Sequence, residues 1–252
     1  MTSNRIANLT LRALLVATFI AVLPTIQVDA RASSNPALQA ASTAGDRTAS
    51  ITLPEGWQIT QVDHGALAAS GPGGTTVYLG YTIPGIYDTV NPAARQAAML
   101  AGRAHTPFIL CPYGGDLATS YHCVLQQLRK NEQLPPATLH VAKYPAVPTA
   151  SGETNAVLIQ ANVYSSDTGT RAATIRIGIT GMSASGQWTM TLNSVAAPQQ
   201  LINQQLPALR EIISSYRQNG RAVPAITDAI LNGLLAQRPA PLPNAGDTNP
   251  PR

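Results

Sequence analysis

Three stretches in the second half of the chain alternate apolar and polar residues with a period of two. No other feature limits the possible fold as strongly. Val157, Ile159, Ala161 and Val163 form the apolar set of the first stretch, and Ala173, Ile175, Ile177 and Ile179 that of the second. Trp188, Met190 and Leu192 form the third. Successive side chains of a strand point to opposite faces, so each stretch reads as a strand with one buried face. The turn runs Ser166-Asp167-Thr168-Gly169 and Ser183 to Gly186 fit hairpins, which makes the sheet antiparallel. A fourth strand is expected at Thr138 to Ala142.

Helical spacing follows. After Pro198, Ile202, Leu206, Leu209, Ile213 and Tyr216 recur at steps of three and four. This stripe is expected to cover the apolar face of the three strands, with Pro207 kinking or dividing the helix and Asn219-Gly220 ending it. Pro224 to Ala236 reads as a last amphipathic helix through Ile226, Ala229, Ile230 and Leu234. Upstream, Ser50 to Leu53 and Trp57 to Val62 flank the turn Pro54-Glu55-Gly56. Ala66 to Ala69 and Thr75 to Thr82 flank Gly71-Pro72-Gly73-Gly74. Asn91-Pro92 opens a helix that should stop before Gly102. Another begins near Asp116 and carries Leu117, Tyr121, Val124, Leu125 and Leu128 on one face. Strands with helices segregated on a face give an α+β fold, an antiparallel sheet packed by helices.

The ends read differently. Residues 1–30 have the order of a secretory signal peptide: Arg5 and Arg12, an uncharged run from Ala13 to Leu23, Pro24, then Val28-Asp29-Ala30. That run would span about 16 Å as a helix against a bilayer core of roughly 30 Å. A periplasmic or extracellular protein is therefore expected, with no integral membrane span after cleavage; an uncleaved anchor is the alternative. Residues 31–48 read as a flexible linker, 49–220 as the α+β domain and 221–237 as a C-terminal helix. Residues 238–252 read as a Pro-rich disordered tail. Export places Cys111 and Cys123 in an oxidising compartment, and a disulfide between them is expected. Free thiols are the next alternative. A metal site from His105, Cys111, His122 and Cys123 is disfavoured, because helix neighbours point about 100° apart.

Composition excludes some functions. With 44% apolar residues the chain is not a disordered polymer. Its net charge of +4 is spread thinly, with no cation cluster larger than Arg129-Lys130, which argues against nucleic acid as a partner. Gly181 to Gly186 lacks the spacing of a serine nucleophile elbow, H-E-x-x-H is absent, and the glycine run at 71–74 lacks the lysine of a phosphate loop. Nothing singles out a pair among Glu55, Asp63, Asp88, Asp116, Glu132, Glu153 and Asp167. His64, His105, His122 and His140 read as surface or structural residues. No catalytic residue, metal ligand or cofactor is assigned. The polar side of the three strands would carry Gln160, Asn162, Tyr164, Arg176, Thr189, Thr191 and Asn193. That set reads either as a groove for an anionic or polar ligand or as an ordinary wet sheet face.

Several short patches stand out together: Leu53-Pro54-Glu55-Gly56-Trp57, Gly71-Pro72 before Val77-Tyr78-Leu79-Gly80, Gly186-Gln187-Trp188, Ala197-Pro198, and Ile212 to Asn219. Over residues 49–220 they resemble bacterial secreted modules of the PsbP/Mog1 type. The resemblance implies an α/β/α sandwich serving protein binding or assembly, without a shared active site. It also implies helices on both sheet faces, which would weaken the groove. The cysteine pair and the C-terminal extension lie outside the pattern, and no functional residue carries over. The expectation is an exported, non-enzymatic binding or assembly module whose partner is an envelope or extracellular protein or a small polar ligand. The alternative is an exported hydrolase whose site assembles only in the fold.

Overall fold

The computed structural model describes residues 48–103, 108–143 and 145–237. The expected signal peptide, nearly all of the linker, the Pro-rich tail and His105 lie outside the described residues.

In chain order the strands are β1 (Ala49–Ser50), β2 (Gln58–Asp63), β3 (Ala66–Ser70), β4 (Thr76–Tyr87), β5 (Ile109–Leu110), β6 (Ala137–Lys143), β7 (Asn155–Ser165), β8 (Gly169–Ile179), β9 (Gln187–Ala197), β10 (Arg217–Gln218) and β11 (Arg221–Ala222). The helices are α1 (Pro92–Arg103), α2 (Leu117–Asn131), α3 (Ile202–Ser215) and α4 (Pro224–Ala236). The main sheet runs β2-β3-β4-β9-β8-β7-β6, with β5 added to β4. Every pairing along that path is antiparallel; β5 alone lies parallel to its neighbour. The three alternating stretches are β7, β8 and β9, and the expected fourth strand is β6. Ser165 pairs with Gly169 across the β7–β8 turn, and the left-handed backbone of Gly169 (φ +69°) closes it without a Cβ clash.

Both sheet faces are buried. On the first, Ile159, Ile175, Ile177, Trp188 and Met190 pack with Leu117, Tyr121, Val124 and Leu128 of α2. On the second, Leu67, Leu79, Leu158 and Val195 pack with Leu206, Leu209, Ile212 and Ile213 of α3 and with Ile226, Ile230 and Leu234 of α4. Trp57 seals the edge of that second core. The architecture is an α+β sandwich of three layers: α2, the sheet, then α3 with α4. Each fully buried Leu or Ile contributes about 1.5–3 kcal/mol relative to exposure, so both cores are substantial.

Four local expectations need correction, the first being that α1 runs on through Gly102 to Arg103 instead of stopping before it. The stripe of α3 does not cover Ile175, Ile177 and Trp188, which belong to α2. The cause lies upstream: Ala66 to Ala69 and Val77 to Leu79 are buried on both faces, giving the terminal helices a second apolar floor. Pro207 lies inside α3 without dividing it; a 3-10 turn at Gln199–Leu201 leads into the helix. Asn219-Gly220 does not end α3, which stops at Ser215. Both residues have positive φ (+50° and +73°) and form the two-residue turn of the β10–β11 hairpin, whose β10 pairs with β1.

Candidate binding cleft

The polar residues expected to line an open groove are placed on the second face, where α4 and the segment before β7 cover most of them. Arg176 is 0% exposed. Its guanidinium grips Glu153 through two bonds, Nη1 to Oε1 at 2.9 Å and Nη2 to Oε2 at 2.6 Å, and Nη2 also donates to the Pro148 carbonyl at 2.8 Å. The hydroxyl of Thr191 and the Ala150 N–H donate to the same carboxylate. Burial pushes the Glu153 carboxyl up, but the hydrogen bonds from Arg176, Thr191 and Ala150 together with the Arg176 charge outweigh it and hold the pKa below its ordinary value. Gln160 is buried and donates to the Gly233 carbonyl of α4 at 2.7 Å. Asn193 is buried and accepts the Gly80 N–H at 2.6 Å. Thr189 is half-buried, while Asn162 and Tyr164 are exposed near the far end of β7. The fold does not gather these residues around a shared opening, and Glu153 already satisfies the cation.

The first face offers a different site. Its apolar register runs through Ala173, Ile175 and Ile177 on β8, and one step of two before Ala173 the same register reaches Arg171. Neighbouring strands change character at the same end, to Thr76 on β4 and Ser194 on β9. Beneath the C-terminal half of α2 these residues rim a cleft of about 80 Å³. Leu125 and Leu128 form its roof, Ala173, Ile175 and Leu192 its floor, and Tyr78, Tyr81 and Tyr121 extend into its walls. Among the described residues its lining contains no carboxylate.

Two arginines border this cleft and differ in their pairing. Arg129 is 1% exposed, and its Nη2 meets Asp167 at 2.9 Å while Nε donates to the Pro135 carbonyl. Burial raises the Asp167 pKa, but hydrogen bonds from Ser165 and its own backbone, with the Arg129 charge, bring it below its usual value. Arg171 is half-buried. Its Nη2 donates to the carbonyls of Gly74 and Ala196, but its Nε is buried with no partner, and no ion pair among the described residues includes it. Burial lowers the Arg171 pKa, with the Tyr78 ring opposing that trend.

The tyrosines add neutral donors. Tyr81 is 3% exposed, and its hydroxyl has no hydrogen-bond partner among the described residues. Leaving such a group unsatisfied costs about 1–3 kcal/mol. Its ring meets Tyr78 edge to face at 5.5 Å. Burial raises the pKa of both hydroxyls and pushes Tyr121 up to about 12, so all three stay protonated at neutral pH.

The roof is anchored at both ends. Cys111 and Cys123 form a disulfide with Cα atoms 5.8 Å apart, joining the end of β5 to α2. Gln127 brackets Leu110 by accepting its N–H at 3.3 Å and donating to its carbonyl at 2.9 Å. Asp116 caps the helix by accepting the Ala118 N–H at 3.1 Å. Near the other end Arg129 ties α2 to the β7–β8 turn.

No protein-family model matches the chain, and a search of curated proteins found no match. Solved structures do show a likeness. The chain is similar to cyanobacterial PsbP from Synechocystis sp. PCC 6803, with 10% identity, 76% of this chain and 98% of that one covered, and a TM-score of 0.34. LpqN, involved in cell envelope biogenesis of Mycobacterium tuberculosis, gives 12% identity over 71% and 90% of the two chains and a TM-score of 0.27. The Ran-binding protein Mog1p of Saccharomyces cerevisiae gives 9%, 73%, 97% and 0.29. The likeness to the PsbP/Mog1 type is patchy, as in the sequence.

The remaining candidates stay apart. His64 meets the carboxylate of Asp63 at an exposed turn, His122 faces Gln126 across one helical turn, and His140 is exposed on β6. None of the three borders the cleft, and both cysteines are consumed by the disulfide. Sequence reading missed Arg171 and the three tyrosines. The available signal was a cation in the apolar register of β8, legible once the register is extended past Ala173.

Proposed function

We propose that this protein is an exported, non-catalytic binding module whose ligand site is the cleft between α2 and the first face of the sheet. The observation that carries this reading is an arginine, Arg171, that pairs with no carboxylate among the described residues and stands in the wall of a largely apolar slot also lined by Tyr78, Tyr81 and Tyr121. A few convergent polar groups in an apolar concavity are the usual make-up of a small-molecule site. The leader-like N-terminus and the disulfide support export. Among the described residues no helix is long and apolar enough to cross a membrane.

The test is titration of the purified chain with 1,6-diphenyl-1,3,5-hexatriene, a slender rod-shaped dye without fused rings that brightens in apolar pockets. Saturable brightening is expected, and Ser194→Phe, which places a ring at the rim, should reduce it at least fivefold without changing the near-UV circular dichroism of the fold. Brightening unaffected by Ser194→Phe would place the dye elsewhere and remove the cleft as the site. Mass spectrometry of the secreted protein checks export, with a mature start expected near Arg31.

A further inference from the structure

We infer that the ligand of this cleft is a single-chain monocarboxylate amphiphile, its head held by Arg171 and its tail lying between α2 and the sheet. The inference rests on the cleft being the binding site and goes on to assign its chemistry. Three observations lead to it.

Charge is the first. A guanidinium that is half removed from water without a carboxylate is costly, and an entering anion relieves that cost. Arg129 on the same rim is already neutralised by Asp167, so the cleft presents one uncompensated positive charge. One charge matches a carboxylate. A phosphate monoester carries about −1.5 to −2 at neutral pH and would ask for a second cation.

Hydrogen bonding is the second. Arg171 and Tyr78 line the cleft together and feel each other's charge, and Tyr121 lines it as well, so one guanidinium and neutral hydroxyls share its wall. Protonated tyrosines suit an acceptor-only head group such as a carboxylate.

Shape is the third. A volume of about 80 Å³ bordered by residues from α2 and four strands is a slot and not a chamber. Its walls are aliphatic where they leave the rim, at Leu125, Leu128, Val163 and Leu192. A slot of that size takes only the first few methylenes of a single alkyl chain, and it leaves no room for a fused ring or a second chain.

The experiment is dye displacement by dodecanoate, dodecanol and dodecyl phosphate below their micellar concentrations, on the wild type, Arg171→Gln and Arg171→Lys. Dodecanoate is expected to displace the dye at least tenfold more tightly than dodecanol and more tightly than dodecyl phosphate. Arg171→Gln should erase the preference for the acid over the alcohol. Shortening the acid should weaken binding by about fourfold for each methylene withdrawn from the slot. Equal displacement by acid and alcohol would overturn the anionic head while the cleft survives as the site; tighter binding of dodecyl phosphate would overturn the carboxylate. Dye that binds in the cleft but yields to no alkyl ligand would overturn the chain. Failure of the dye itself to bind would instead count against the cleft. Should Arg171→Gln also lose dodecanol, Arg171→Lys decides: a retained acid preference supports the inference and a lost one refutes it.

Discussion

Strand β8 carries two arginines, five residues apart and on opposite faces of the sheet, and their surroundings differ. Arg176 lies beneath the covering of α4 and the segment before β7, gripped by both oxygens of Glu153 and by the Pro148 carbonyl. Arg171 sits at the rim of the cleft under α2 with two carbonyl contacts and no carboxylate. Burial is deeper at Arg176, yet its charge is answered from within the chain. The comparison teaches that a buried cation marks a site only when its counter-charge is missing. By that measure the groove expected around Arg176 is a structural staple, and the site candidate lies on the other face.

Breaking the staple should have the largest effect. Glu153→Gln leaves Arg176 buried and unneutralised and is expected to destabilise the fold by about 3–5 kcal/mol, read as a shift of the urea midpoint. The double variant Glu153→Gln with Arg176→Met should lose much less than the sum of the singles, since a buried pair replaced by apolar bulk is often near neutral. Additive losses would show that the two side chains act independently.

Opening the roof over the other arginine comes next. Cys111→Ser with Cys123→Ser removes a crosslink spanning 12 residues and should cost about 3 kcal/mol in the chain-entropy account. Binding of the dye in the cleft should weaken as α2 loosens, while the Arg176 face keeps its stability contribution. Dye affinity unchanged by reduction would separate the disulfide from the site.

Acid should also distinguish the faces. The Glu153 pKa is depressed in the fold, so on acidification the unfolded chain takes up more protons than the native one. Its stabilisation is complete above the ordinary carboxylate range and is lost as pH falls through the depressed value. Urea midpoints of the wild type should therefore fall below about pH 4.3, and Glu153→Gln should fall less over the same window. Asp167, also depressed, retains some slope in both proteins. An identical slope in wild type and variant would refute the assignment to Glu153. The smallest effect is expected for Arg171→Gln. Removing a half-buried cation that pairs with no carboxylate should move stability by no more than about 1 kcal/mol, which sets it apart from Arg176.

Much of the fold was legible along the chain. The alternation in β7 to β9, the glycine and proline turns and the spacing of α2 are local signals, and each element forms where its period places it. The α3 stripe was legible too, but not the face it meets. That required knowing that β3 and β4 are apolar on both sides, which a pattern read from β7 to β9 does not contain. Asn219-Gly220 illustrates the same limit: its preference for positive φ is intrinsic, whereas its use in a hairpin depends on β1 being available to pair with β10.

The site divides along that line. Sequence by itself determined which residues carry charge, which strand registers they occupy and that Cys111 and Cys123 could meet, because these depend on side-chain chemistry and short-range geometry. Tertiary structure alone decided that Glu153, 23 residues before Arg176 in the chain, would neutralise one arginine while the other kept an uncompensated charge near Tyr78. The physical reason is that charge compensation and burial are set by distances through space, and those arise only when the two helical layers close on the sheet.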